Sequence, residues 1–195
     1  MNFYRTLKNL RIDFLIQKTF LGGKVPSVDG HKMMAKTESS AYEQVKIVFF
    51  EYYSISENDV IVDVGCGKGR IFNYLLYKGI NNKMIVYEIN KEVGNKTKKN
   101  LLRYKNVEIH SENIFDNFPI NGNVFYLFNP FYEAMMTEFR ERIFSIKDKN
   151  PIILYLNPKC IEVFNDRRFI YEIKDVHIPN YNNDLKLAII RISGG

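Results

Sequence analysis

A chain of 195 residues, 46% of them hydrophobic, is sized for one domain and carries enough apolar side chain for a core. No apolar run reaches the ~18–20 residues of a membrane span, and Lys8, Arg11 and Asp13 interrupt the apolar positions a secretory leader would need, so the expected location is the cytoplasm. The net charge of +6 is concentrated at the front, where residues 1–36 hold seven Lys or Arg against Asp13 and Asp29.

That front end is either an arm attracting phosphate or another acidic surface, or an ordinary solvated helix face. Cys66 and Cys160 lack the short spacing of a metal site, and two cysteines do not make a disulfide framework. His31, His110 and His177 are isolated, so no metal is expected.

Residues 3–20 have Phe3, Leu7, Leu10 and Phe14 at helical spacing, predicting an amphipathic helix with those residues inward. A polar stretch from Gly22 to Lys36 follows. "SAYE" (Ser40–Glu43) has capping-box spacing and opens a second helix, with Val45, Val48, Phe49 and Tyr52 on its buried side. Residues 1–54 therefore read as a helical extension packed on a core of residues 55–195.

From Val60 the pattern changes. "VIVDV" reads as a buried strand and "RIFNYLLYKG" as a helix stopped by Gly79. "MIVYEI" is a second strand, and "KEVGNKTKKNLLRY" a helix weakened by Gly94. "VEIH" and "VFYLF" are the third and fourth strands, and a helix spans about Tyr132 to Ile146. "PIILYL" is the fifth strand, followed by a short helix around Ile161–Phe164. "FIYEIKDVHI" and "LKLAIIRI", joined by the turn-like "PNYNND", predict an antiparallel hairpin. Alternating strands and helices imply α/β: a Rossmann-like open sheet of seven strands, mostly parallel, helices on both faces, closed by that hairpin.

The first strand runs into "DVGCGKGR" (Asp63–Arg70). Gly65, Gly67 and Gly69 alternate, allowing positive φ and close approach of a ligand to the backbone. In open α/β sheets this turn lies at the carboxyl ends of the strands, where ligands bind. Glu88 ends the second strand ~20 residues on, the place of a ribose-binding acid. The dinucleotide fingerprint Gly-x-Gly-x-x-Gly fails, because its last position is Arg70. Asp63 also argues against a diphosphate and suits a cationic ligand such as an amino-acid ammonium.

"VIVDVGCGKGR" resembles the first motif of class I methyltransferases dependent on S-adenosylmethionine (SAM), and "VYEIN" resembles their second. The order of elements from Ile55 onward is similar too. The resemblance implies SAM as cofactor. Asp63 would then face the methionine amino group, Gly65, Cys66, Gly67 and Gly69 would form the loop against the cofactor, and Glu88 would bind the ribose hydroxyls. Ile89 would pack on adenine, and Asn113 in "SENIF" would take the place of an adenine-binding aspartate or be a plain loop residue. Thr37, Ser39, Ser40 and Tyr42 would close over the methionine end, with Ser40 alternatively a helix cap.

"NPFY" (Asn129–Tyr132) ends the fourth strand. It resembles the Asn/Asp/Ser-Pro-Pro-aromatic motif of amino-methyltransferases, with Phe131 in place of the second proline. The Asn129 side-chain oxygen and Pro130 carbonyl would accept hydrogen bonds from an amine, and Phe131 or Tyr132 would stack on a flat substrate. The competing reading is a helix start, Asn129 at the cap and Pro130 in the first turn, with Phe131 in the core. Small bacterial methyltransferases and mitochondrial-type protein-lysine methyltransferases share parts of this pattern. The expected function is therefore N-methylation of an RNA acceptor drawn in by the basic arm. Protein-lysine or small-molecule amine methylation, and a non-catalytic partner subunit, stay open.

Overall fold

The computed structural model describes residues 3–22, 40–178 and 184–194. Their strands form one sheet: β1 (Ile61–Val64), β2 (Met84–Tyr87), β3 (Val107–His110), β4 (Val124–Phe128), β5 (Ile152–Leu156), β6 (Phe169–Val176) and β7 (Leu185–Ile192). Their spatial order is β3-β2-β1-β4-β5-β7-β6. All pairs from β3 to β5 are parallel; β7 is antiparallel to both β5 and β6. This is the expected seven-stranded α/β sheet, with β7 inserted between β5 and its hairpin partner. The turn "PNYNND" lies, up to its last residue, outside the described residues.

β1, β2, β4 and β5 are short apolar runs without alternation, because helices cover both faces. On one face lie α1 (Phe3–Ile16), α2 (Tyr42–Lys46), α3 (Arg70–Tyr77) and α4 (Lys91–Leu101), packed through Ile12, Val45, Phe49, Ile71, Leu75 and Leu101. The other face is covered by α5 (Glu133–Ser145), through Met136, Phe139 and Ile143, and by the short 3-10 turn Ile161–Phe164. Gly94 is no weak point in α4: a Cβ there would stand 2.5 Å from Ser111 Oγ, so glycine lets the helix approach the segment after β3.

The first two helices depart from expectation. α1 buries Ile12, Asp13, Ile16 and Gln17, while Leu7 and Phe14 are about half exposed (50% and 51%). The helix thus turns inward a stripe rotated from the predicted one, because two of its buried residues are polar and find partners on α3 and its entry loop. α2 begins at Tyr42 with Ala41 as its cap, and the Gln44 side chain accepts from the Ala41 N–H at 2.7 Å. Ser40 is therefore not the cap. A π-helical turn (Ile47–Tyr52) continues α2 and rotates Tyr52 outward, where its O–H donates to the Asp175 carbonyl at 2.7 Å.

Chain direction across the sheet positions the site. From β1 the chain builds outward to β3, then returns to add β4 on β1's other side. Loops leaving β1 and β4 diverge there and open a crevice at the carboxyl ends of both strands.

Candidate active site

The glycine loop leaves β1 directly into that crevice. Gly65, Gly67 and Gly69 have φ of 79°, 54° and 79°, the left-handed region that only glycine adopts freely. Gly65 and Cys66 N–H both donate to the Tyr87 carbonyl, at 3.0 and 2.9 Å, pinning the loop to the end of β2. At Gly69 a Cβ would also collide with the buried Phe72 ring at 2.1 Å.

Two acids stand beside this loop. Glu88 is 3% exposed, and its carboxylate accepts from Gly67 N–H at 2.7 Å and Asn90 N–H at 2.8 Å. Burial raises its pKa, and those two N–H groups oppose the rise. Each oxygen keeps a further acceptor site. Asp63 is 4% exposed, and its buried Oδ2 has no hydrogen-bond partner among the described residues. Burial first, and the Glu88 charge second, push its pKa up to about 8. An unpartnered buried carboxylate oxygen is costly and marks a place made for a donor or cation. Asp63 shares its register position with Tyr126 on β4, whose hydroxyl meets Ser40 Oγ at 3.2 Å. The residue expected near the methionine end therefore sits beside Asp63 through Tyr126.

The other expected cofactor residues divide. Ile89 is partly exposed just past Glu88, and Cys66 is buried within the loop with its thiol pKa raised chiefly by burial. The Asn113 side-chain oxygen is engaged locally, accepting from Phe115 N–H at 3.2 Å. Tyr42 does not line the crevice. It is 1% exposed, its O–H donates to the Asp13 carboxylate, and it accepts from Asn73 Nδ2 at 2.7 Å. Asp13 has no competing solvent and draws Tyr42 inward. Thr37 and Ser39 lie outside the described residues.

"NPFY" lies across the crevice. A Cβ on Gly65 would be 3.5 Å from Pro130 Cβ, so the loop and this segment touch. Asn129 is not a helix cap: α5 is capped by Tyr132, and Asn129 has φ of 48° three residues earlier. The Tyr155 O–H donates to Asn129 Oδ1 at 2.9 Å and accepts from Cys160 N–H at 3.2 Å, which orients the Asn129 amide and leaves that oxygen a second acceptor site. Phe131 is 3% exposed against Phe115 and Phe139, at 5.3 and 5.8 Å between ring centres, so it belongs to the core and not to a substrate platform. Tyr132, 51% exposed, is the accessible aromatic of the pair.

Sequence reasoning missed Tyr155 and the α1 contacts. Tyr155 carries a weak signal: "LNP" (Leu156–Pro158) after β5 repeats the "FNP" after β4, and Asn157 also has positive φ, 53°. From α1, Gln17 Nε2 donates to the Lys68 carbonyl at 3.1 Å, Lys68 Nζ donates to the Gly22 carbonyl at 2.6 Å, and Arg70 faces Asp13 at 3.6 Å. These contacts brace the glycine loop from outside, and nothing in the local pattern of α1 announced them.

No family model and no curated protein matches the chain. Solved structures do. A candidate RNA methyltransferase of Pyrococcus horikoshii superposes with a TM-score of 0.59 at 15% identity, over 94% of this chain and 97% of that one. The B. subtilis m1A22 tRNA methyltransferase TrmK gives 0.59 at 11% identity, over 80% and 66%. The chain shares the Rossmann-like α/β fold of these structures. Mitomycin 7-O-methyltransferase shares it too, with a TM-score of 0.57 at 14% identity over 77% of this chain and 53% of that one.

Proposed function

We propose that the protein is a SAM-dependent methyltransferase acting on a nitrogen of an RNA acceptor. One observation carries the cofactor: the buried Asp63 Oδ2, without a partner among the described residues, beside the positive-φ glycine loop and Glu88. These residues fit SAM. Asp63 would accept from the amino-acid ammonium, Glu88 from the ribose hydroxyls with the lone pairs its backbone donors leave free, and Ile89 would flank the adenine. SAM supplies an activated methyl on a sulfonium, so the chain needs neither a nucleophile nor a metal.

The chain's own work is to place the acceptor. Asn129 Oδ1, oriented by Tyr155, accepts a hydrogen bond from an N–H of the attacking amine and so aims the amine's lone pair into the crevice. That bond also eases the positive charge developing on nitrogen. Tyr132 offers a ring for a base to stack on. RNA is favoured over protein or a small amine by the basic front of the chain and by the RNA methyltransferases among its structural neighbours.

The test has two stages. Calorimetry should detect SAM binding to the purified protein; no binding at millimolar cofactor would sink the enzyme reading. Tritiated SAM added to a cell lysate with the protein should then label the RNA fraction. Label confined to protein or metabolites would move the acceptor, and tight SAM binding without transfer to any pool would point to a partner subunit.

A further inference from the structure

On α5 and β6 the cations are paired: Arg140 with Glu141, Arg142 with Glu138, Lys174 with Glu172, and Arg168 just before β6 with Glu141. On α4 and the residues that follow it, 91–105, six Lys or Arg stand against Glu92 alone. Lys96 and Lys99 there are exposed and form no ion pair among the described residues, and the same holds for Arg11 on α1 and Lys18 just beyond it.

Tertiary contacts make one surface of these two stretches. Arg103 donates to the Leu15 and Ile16 carbonyls at 2.8 Å each, capping the C-terminus of α1 from α4. Asn100 Nδ2 donates to Gln17 Oε1 at 3.4 Å, and Gln17 in turn contacts the Lys68 carbonyl. Lys96 lies one turn before Asn100 on α4, and Lys99 directly precedes it, so both flank the side of α4 that meets Gln17 just past α1. Lys68, whose ammonium pKa is lowered by burial and then by the charges of Arg70 and Lys96, ties this stripe to the glycine loop. Exposed apolar side chains are interleaved: Phe14 at 51%, Phe20 at 55% and Leu102 at 63%.

We propose that the joint surface of α1 and α4, with Arg11, Lys18, Lys96 and Lys99 as its phosphate contacts and Phe14 and Phe20 as stacking platforms, is the docking track of the RNA substrate. It rests on the methyltransferase reading for the identity of the partner. Unpaired cations beside exposed aromatic rings match a phosphate backbone carrying unstacked bases better than they match an acidic protein, which offers charge without rings. The track begins on the helices that brace the cofactor loop, so bound RNA is led toward the crevice.

The test compares the full-length protein with Arg11→Gln/Lys96→Gln/Lys99→Gln and, as a control on the opposite face, Lys147→Gln/Lys149→Gln. Fluorescence anisotropy is read with a labelled, mixed-sequence single-stranded oligoribonucleotide across a salt series, and SAM binding is followed by calorimetry. The triple variant should lose roughly tenfold in RNA affinity at physiological salt, and its log–log salt slope should flatten by about 2, near 0.7 per lost phosphate contact. The control should match the wild type. Phe14→Ala/Phe20→Ala should weaken RNA binding while keeping the slope. An unchanged slope in the triple variant, an equal loss in the control, or binding of poly-glutamate in preference to RNA would each overturn the docking track. Loss of SAM binding by the wild type would instead overturn the enzyme reading.

Discussion

Asp63 makes the cofactor reading quantitative. Its folded pKa of about 8 lies above its ordinary value of 3.8, so at pH 7 the protonated form predominates. Pairing it with the SAM ammonium requires the ionised form. SAM affinity should therefore climb roughly tenfold from pH 6 to pH 7 and level off as pH approaches about 8. Above that it should fall, because an α-ammonium of ordinary pKa, about 7.7–8.0, then loses its proton.

Calorimetry in buffers of different ionisation enthalpy should find a net release of most of one proton per SAM bound at pH 7. Asp63→Asn removes the rising arm and the proton release. Thermal melts give an independent check on sign. A raised carboxyl pKa stabilises the fold when protonated, so this contribution is whole below about pH 4 and is lost as pH rises through about 8. The stability deficit of the wild type relative to Asp63→Asn should accordingly grow over that window. A SAM affinity flat between pH 6 and 7.5, or an Asp63→Asn variant that keeps the rising arm, would refute the pairing of Asp63 with the cofactor.

Other outcomes follow from the same geometry. Glu88→Ala should weaken SAM binding by ~1–3 kcal/mol, the range for losing hydrogen bonds to a charged group, with calorimetry as the measurement. Asn129→Ala should keep SAM affinity and lower the rate of methyl transfer to RNA, and Tyr155→Phe should do so more mildly, because it only frees the Asn129 amide to rotate; parallel loss of melting temperature and rate in both would assign the segment to stability alone. Gln17→Ala should loosen the glycine loop and reduce SAM affinity several-fold with a smaller change in melting temperature. Gly69→Ala, which combines positive φ with a Cβ 2.1 Å from the Phe72 ring, should cost about 1–3 kcal/mol in denaturant titration.

The sequence by itself determined the sheet. Runs such as "VIVDV" and "VFYLF" are too short and too apolar for anything but buried strands, and periodicity separates them from the intervening helices. It determined the glycine loop as well, because φ near 79° at Gly65 and Gly69 is a backbone demand that only glycine meets cheaply. Glu88 was legible for the same reason: a fixed number of residues leads from that loop to the end of β2.

Only the tertiary structure decided which polar residues meet beside the glycine loop. Tyr42 and Ser40 are neighbours in sequence, yet Tyr42 is consumed by Asp13 and Asn73 while Ser40 joins Tyr126 beside Asp63. The inward stripe of α1 was misjudged because hydrophobic spacing carries no information about Asp13 and Gln17, whose partners include Tyr42, Lys68 and Arg70, far along the chain. "NPFY" could have been a helix start until β4 was seen to end against β1. That adjacency brings Pro130 to Gly65, puts Asn129 in a left-handed turn under Tyr155, and folds Phe131 into the core. Local pattern sets which segments are strands and helices. Which side chains meet depends on the order in which those segments are laid side by side, and that is settled by packing over the whole chain.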